Sequence, residues 1–247
     1  MTRRVLQAGG STAVVALTCC ALFFHNVQAA SANIDGPILI EAYGDSTTLG
    51  ITCSDGHCAA QANNAVAYLQ DELQARHGAR VQVANYGVGG TTAAQLRDGT
   101  GNRRAGPTAG LAWQVRLAAS PAQIVLINYG INEVMQNQTP AQFYDAETAL
   151  VKTAQALGKQ AVLQTSNPMP DNRLNARLAA MVAMTRRVAA EQHAPLVDQF
   201  AYIGNLPEWK TLMSDGAHPR PALYQLKAGQ DFQVVDPLVQ RLLDRPR

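Results

Sequence analysis

The chain has 247 residues, of which 47% are hydrophobic and 15% charged, with a net charge of +2 at pH 7. That length supports one domain with a sizeable core. Near-neutral charge without a basic run removes the electrostatic case for a nucleic-acid partner.

The first 32 residues read as an export signal, with residues 33–247 as the working domain. Arg3 and Arg4 open the segment, and Thr12 to Phe24 is almost wholly apolar or small. Val27-Gln28-Ala29 and Ala30-Ser31-Ala32 both offer the small residues of a cleavage site. The apolar run is shorter than the roughly 18–20 residues of a spanning helix, so cleavage is expected rather than stable membrane insertion. Cys19 and Cys20 follow Ala16-Leu17-Thr18, which lacks the small residue expected before a lipidated cysteine. Removing the segment takes two basic residues and no acidic ones, leaving 18 of each. Export to the periplasm or medium implies an oxidising compartment, where the remaining pair, Cys53 and Cys58, is expected to form a disulfide. A metal reading of Cys53, Asp55, His57 and Cys58 is disfavoured, because no second ligand pair accompanies the cluster.

After the signal, apolar runs alternate with helix-period segments. Pro37 to Tyr43 is a strand candidate, and residues 59–76 place Ala62, Val66, Leu69 and Leu73 on one helical face ending at Gly78. Val81 to Tyr86 is a second strand, 91–97 a short helix, 98–110 a Gly-rich loop and 111–119 another short helix. Ile124 to Tyr129 is the third and most apolar strand. Residues 140–157 form a helix entered through Thr139-Pro140. Ala161 to Gln164, a helix over 171–193, a short strand from Leu196 to Phe200 and a closing helix from Val234 to Leu243 complete the pattern. Such alternation predicts an α/β fold: one flavodoxin-like, doubly wound domain with a five-stranded parallel sheet. In such sheets sites lie beyond the carboxyl ends of the strands. Ser46 follows the first strand, Gly87 to Gly90 the second and Asn132 the third, all on that edge.

Four histidines remain after the signal: His57, His77, His193 and His218. His77 and His193 sit at helix ends, where a capping role is expected. His218 lies in a loop, three residues after Asp215. Ser46, in a Gly-Asp-Ser turn between strand and helix, reads as either a helix cap or an exposed nucleophile. Asp45 is expected to brace that turn. The segment NYGVGGTT has no P-loop lysine and lacks the acidic residue of a dinucleotide site, so its glycines read as allowing close backbone approach.

Four blocks in order then resemble the SGNH, or GDSL, hydrolase family: Gly44-Asp45-Ser46, the glycine at Gly90, Gly130-Ile131-Asn132-Glu133, and Asp215-Gly216-Ala217-His218. The likeness runs from Gly44 to Pro219. It implies Ser46 as nucleophile, His218 as base and Asp215 as its orienting carboxylate. It also implies an oxyanion hole from the Ser46 N–H, the Gly90 N–H and the Asn132 side chain, with neither metal nor organic cofactor. Glu133 stands where the family has aspartate, and CSDGHC lies outside the family pattern. The implied function is an exported esterase for small or short-chain acyl esters, with a small-molecule ester as partner. Acyl transfer, a lysophospholipase- or thioesterase-like activity, and a catalytically silent binding module remain open alternatives. Arg103 and Arg104 are read as solvated. The loop holding Leu206, Trp209 and Leu212 is expected either to line an acyl pocket or to pack onto the domain. The sequence leaves oligomeric state open.

Overall fold

A computed structural model describes residues 36–101 and 110–245. The expected export signal and the pair Arg103 and Arg104 lie outside those residues. Five parallel strands form the sheet: β1 (Ile38–Gly44), β4 (Val81–Asn85), β5 (Ile124–Tyr129), β6 (Gln160–Thr165) and β7 (Leu196–Val197), in the order β4-β1-β5-β6-β7. This is the doubly wound arrangement expected from the alternation.

Strand periodicity divides the core. Ile38, Ile40, Ala42, Ile124, Leu126 and Val162 face one side, against α2 (Ala65–His77) and α9 (Pro221–Leu243). Tyr43, Val125, Ile127, Tyr129 and Leu163 face the other. That second layer holds α3 (Ala93–Asp98), α4 (Trp113–Ala119), α5 (Ile131–Met135), α6 (Pro140–Ala156) and α7 (Asn172–Glu191). Successive residues of a strand point to opposite faces, so the central strands of a sheet covered on both sides read as near-continuous apolar runs. All six residues of β5 are buried accordingly. Trp113 locks α4 onto α6 by donating its indole N–H to the Leu150 carbonyl at 3.0 Å. No helix among the described residues is long and apolar enough to cross a membrane.

Three elements differ from the sequence reading. The helix expected from residue 59 begins at Ala65, where the Asn64 side chain accepts the N–H groups of Val66 and Ala67. Before it, β2 (Ile51–Ser54) and β3 (His57–Ala60) form an antiparallel hairpin. Its two-residue turn, Asp55-Gly56, has φ of 51° and 77°, the left-handed pair that an Asp-Gly hairpin favours. The fifth strand stops at Val197 because Asp198 caps α8 (Gln199–Gly204) by accepting the Ala201 N–H. The closing helix starts thirteen residues earlier than expected, at Pro221. Its first half buries Lys227 and Asp231, charged groups that interrupt the apolar period on which the reading relied.

The loop after β4 is pinned against the turn after β1, with the Val88 N–H donating to the Gly44 carbonyl at 2.9 Å. A Cβ on Gly87 would overlap the backbone nitrogen of Leu49 and fall 2.8 Å from the Leu49 Cα. Backbone cannot step aside as a side-chain tip can. We expect Gly87→Ala to destabilise the fold by about 1–3 kcal/mol, as overpacking does, and to lower activity by displacing the 46–49 turn. Urea unfolding beside an esterase assay checks this, and wild-type values in both would refute the packing argument.

Candidate active site

The first strand delivers Ser46 as the first residue of α1 (Ser46–Leu49). Asp45, not Ser46, is the N-cap: its Oδ1 accepts the Thr47 N–H at 2.8 Å and the Thr47 hydroxyl at 2.9 Å. Asp45 is fully buried and turned into the helix, bracing the turn as expected. Burial raises its pKa against the lowering pull of Thr47, Lys227 and His218. Gly44 is required here, since a Cβ would lie 2.6 Å from the Asn128 carbonyl oxygen.

His218 arrives from the other end of the chain. The loop closes on itself through the Ser214 N–H, which donates to the His218 carbonyl at 2.8 Å. His218 Nε2 then lies 2.9 Å from Ser46 Oγ, and Nδ1 lies 2.8 Å from Asp215 Oδ2. Asp215 Oδ1 accepts the N–H groups of Ala217 (2.8 Å) and His218 (2.6 Å). Burial raises the Asp215 carboxyl, but the hydrogen bonds from the His218 ring, the His218 N–H and the Ala217 N–H outweigh it and hold it below the usual carboxylate range. An ionised Asp215 can only accept, so it places the imidazole proton on Nδ1 and leaves Nε2 free to take the Ser46 proton. Both groups are reachable from solvent, with side-chain exposures of 18% for His218 and 35% for Asp215.

Facing this relay is the turn after β4. A Cβ on Gly89 would sit 3.7 Å from the Ser46 Cβ. Gly90 has φ +78°, and its carbonyl accepts the Gln136 amide at 3.0 Å. The Gly90 N–H has no acceptor among the described residues. Asn132 donates one Nδ2 hydrogen to the Thr91 carbonyl at 2.9 Å, which fixes the amide and leaves its second N–H available. Glu133, where the resemblance implies aspartate, is fully buried. Its two oxygens take the Ala93 N–H at 2.7 Å and the Gly130 N–H at 2.8 Å, tying the start of α3 to the start of α5. The longer side chain therefore still supports the neighbouring Asn132 turn.

Supports that the sequence reading missed lie behind the relay. Buried Lys227 donates to Asn167 Oδ1 at 3.1 Å, and Asn167 Nδ2 donates to the Ala217 carbonyl at 3.0 Å, inside the Asp215–His218 loop. Asp231 accepts from the side-chain amides of Gln164 and Gln199. Lone polar residues in apolar segments were the available signal, but nothing in sequence pairs them. His77, expected as a helix cap, is buried and lies 2.7 Å from Asp236 Oδ1, joining α2 to α9. Leu206, Trp209 and Leu212 pack on Ile203, Met213 and Leu223, so they hold their loop to the domain.

The hairpin carries the Cys53–Cys58 disulfide between directly paired residues. Cys53 Sγ lies 3.0 Å from Asp215 Oδ2, covering one side of that carboxylate. The Cys53 N–H donates to Ser214 Oγ at 3.0 Å, Thr52 Oγ1 to the Pro219 carbonyl at 2.9 Å, and Tyr224 OH to the Ile51 carbonyl at 2.7 Å. The disulfide-bonded sulfurs are not available as ligands, so the grouping of Cys53, Cys58 and Asp215 has no metal-binding chemistry.

This edge of a doubly wound sheet defines the class of α/β carboxylic ester hydrolases. The model of the GDSL-like lipase/acylhydrolase family matches residues 42–226, and the chain belongs to that family. No curated protein matches it. Among solved structures, LAE5, an alpha/beta hydrolase from the metagenome of Lake Arreo, Spain, aligns at 23% identity. The alignment covers 80% of this chain and 94% of that one, with a TM-score of 0.63. A catalytic mutant of Axe2, an acetylxylan esterase from Geobacillus stearothermophilus, aligns at 20% identity over 80% and 94%, TM-score 0.63. The M. smegmatis aryl esterase aligns at 18% over 83% and 98%, TM-score 0.60. At these identities the likeness is one of fold.

Two outcomes follow from the geometry. Reduction of the disulfide, or the pair Cys53→Ser with Cys58→Ser, should lower kcat several-fold with little change in KM, because the contact is to Asp215. Global stability should fall by only about 2 kcal/mol, the value for so short a loop. Unchanged kcat in fully reduced protein would show that the contact is passive. For Glu133, burial pushes the pKa up to about 7 against its hydrogen bonds from backbone N–H groups. The folded state then holds a proton that the unfolded state releases near its ordinary pKa, roughly 4.3. Its contribution to stability is present below that value and lost as pH rises to about 7. Glu133→Gln should flatten that part of the urea midpoint against pH, and an unaltered slope would remove the assignment.

Proposed function

We propose that this enzyme is an exported esterase that hydrolyses small or short-chain acyl esters through an acyl-serine at Ser46. The observation that carries the reading is the continuous relay from Asp215 through His218 to Ser46, at 2.8 and 2.9 Å. In this mechanism Ser46 Oγ attacks the acyl carbonyl as its proton passes to His218 Nε2. Asp215 holds the Nδ1–H and stabilises the imidazolium. The Ser46 and Gly90 N–H groups and the second N–H of Asn132 bind the developing oxyanion, each donor worth about 3–4 kcal/mol in such holes. His218 returns the proton to the leaving alcohol, then activates the water that frees the acid. The ester itself is the small-molecule partner; no step requires a metal or organic cofactor.

The small-acyl reading is supported by the solvent-reachable relay and by the packing role of the 206–212 side chains, which leaves them holding their loop rather than covering a long chain. Export is supported by the sequence of the first 32 residues and by the disulfide.

Ser46→Ala should retain the fold and reduce turnover by about four to six orders of magnitude, with His218→Ala close behind, because the groups act as a unit. A fluorophosphonate probe should label wild type and not Ser46→Ala. Labelling of both would sink Ser46 as nucleophile. Across a series of p-nitrophenyl esters, kcat/KM should peak at short acyl chains, and a steady rise beyond eight carbons would overturn the substrate reading.

A further inference from the structure

Behind the Gly89–Thr91 turn lies a small pocket open to solvent, lined in part by Tyr86, Val88, Thr91, Gln95, Arg116 and Tyr129. Arg116, on α4, is only 7% exposed. Its guanidinium lies 5.4 Å from the centre of the Tyr43 ring. That ring is stacked on Tyr86 at 5.3 Å and meets Trp113 edge-on at 4.8 Å. Among the described residues the guanidinium has no carboxylate partner, and its buried Nε has no acceptor. Glu41 is engaged by the Tyr43 hydroxyl at 2.6 Å. Gln95 has committed its carbonyl oxygen to the Thr92 N–H at 3.0 Å, so the amide group it has left to offer is a donor.

An arginine cannot shed its charge, and burying it unpaired is costly. The Tyr43 face recovers part of that cost but accepts none of the in-plane N–H bonds. A cavity lined by a buried cation and an amide donor, with no acidic side chain among its described lining residues, is suited to an anion. The charge available is a single one, and the guanidinium is a flat fork. The single charge matches a carboxylate better than a phosphate dianion, and the fork can hold both carboxylate oxygens at once. We propose that this pocket is a carboxylate-binding site, with the carboxylate paired to the Arg116 fork and hydrogen-bonded by the Gln95 amide. Val88 and Thr91 bracket Gly89 and Gly90, and the Thr91 carbonyl holds Asn132, so occupancy is felt at the turn facing Ser46. The carboxylate comes either from the ester substrate or its acid product, or from a free acid in solution.

Carboxylate binding at Arg116 does not require turnover, so a binding measurement reads it even where Ser46 proves inactive. Calorimetric titration of the full chain with sodium acetate and with sodium succinate, against a chloride control, should show saturable binding. Arg116→Met should weaken it at least about tenfold, the worth of one charge-assisted hydrogen bond. Arg116→Lys, which keeps the charge and loses the fork, should weaken it less. In carboxylate-free buffer Arg116→Met should melt at or above the wild-type temperature, because it removes an unpaired buried charge. In ester kinetics, succinate that raises only KM identifies the substrate's own subsite, and succinate that changes kcat identifies a free-acid site; either pattern supports the proposal. Equal binding by wild type and Arg116→Met, or none by wild type, overturns it. So does a fall in melting temperature in Arg116→Met that Arg116→Lys restores without carboxylate, because the charge would then serve the Tyr43 ring alone.

Discussion

Everything at the carboxyl edge of the sheet depends on a close approach between two backbones. The turn carrying Ser46 is laid directly against the loop after β4, and neither Gly44 nor Gly87 leaves room for a Cβ. That contact fixes the Ser46 position without any side chain competing for the space. It also explains why the acidic residue next to Ser46 is structural. Asp45 spends one oxygen on the Thr47 N–H and hydroxyl, closing a four-residue helix too short to be stable by propensity.

Ser46 and His218 are 172 residues apart in sequence, so their hydrogen bond is only as good as the supports on each side. On the His218 side these are unusually numerous. The hairpin β2–β3 holds the loop by two hydrogen bonds and a sulfur contact, and the Tyr224 hydroxyl on α9 ties the hairpin down by a third bond. From beneath, Lys227 and Asn167 reach the Ala217 carbonyl. A loop hydrogen-bonded to a disulfide-stapled hairpin can present Asp215 and His218 to solvent without surrendering their geometry.

Buried polar groups follow the same division of labour. Glu133, Asn167, Lys227 and Asp231 are almost wholly inaccessible, yet each joins two chain segments that flank the site. Their desolvation works against stability. Their benefit lies in register, since each satisfied bond fixes one loop relative to another. Arg116 departs from this pattern, because its guanidinium joins nothing by hydrogen bond among the described residues.

The sequence by itself determined the layer architecture, because a parallel sheet covered on both faces demands apolar runs such as Ile124 to Tyr129 separated by helix-period segments. It also placed Ser46, Gly90 and Asn132 on one edge, since strand direction alone decides which loops share an end. The Asp-Gly turn of the hairpin was legible as well, but the helical spacing of Ala62 and Val66 overrode it. What only the tertiary structure decided were the pairings. Lys227 and Asp231 broke the apolar period and hid the first half of α9, because their partners lie 32 to 67 residues away. Sequence spacing cannot report such contacts. A buried charge becomes intelligible only when folding brings its counter-group within hydrogen-bonding distance.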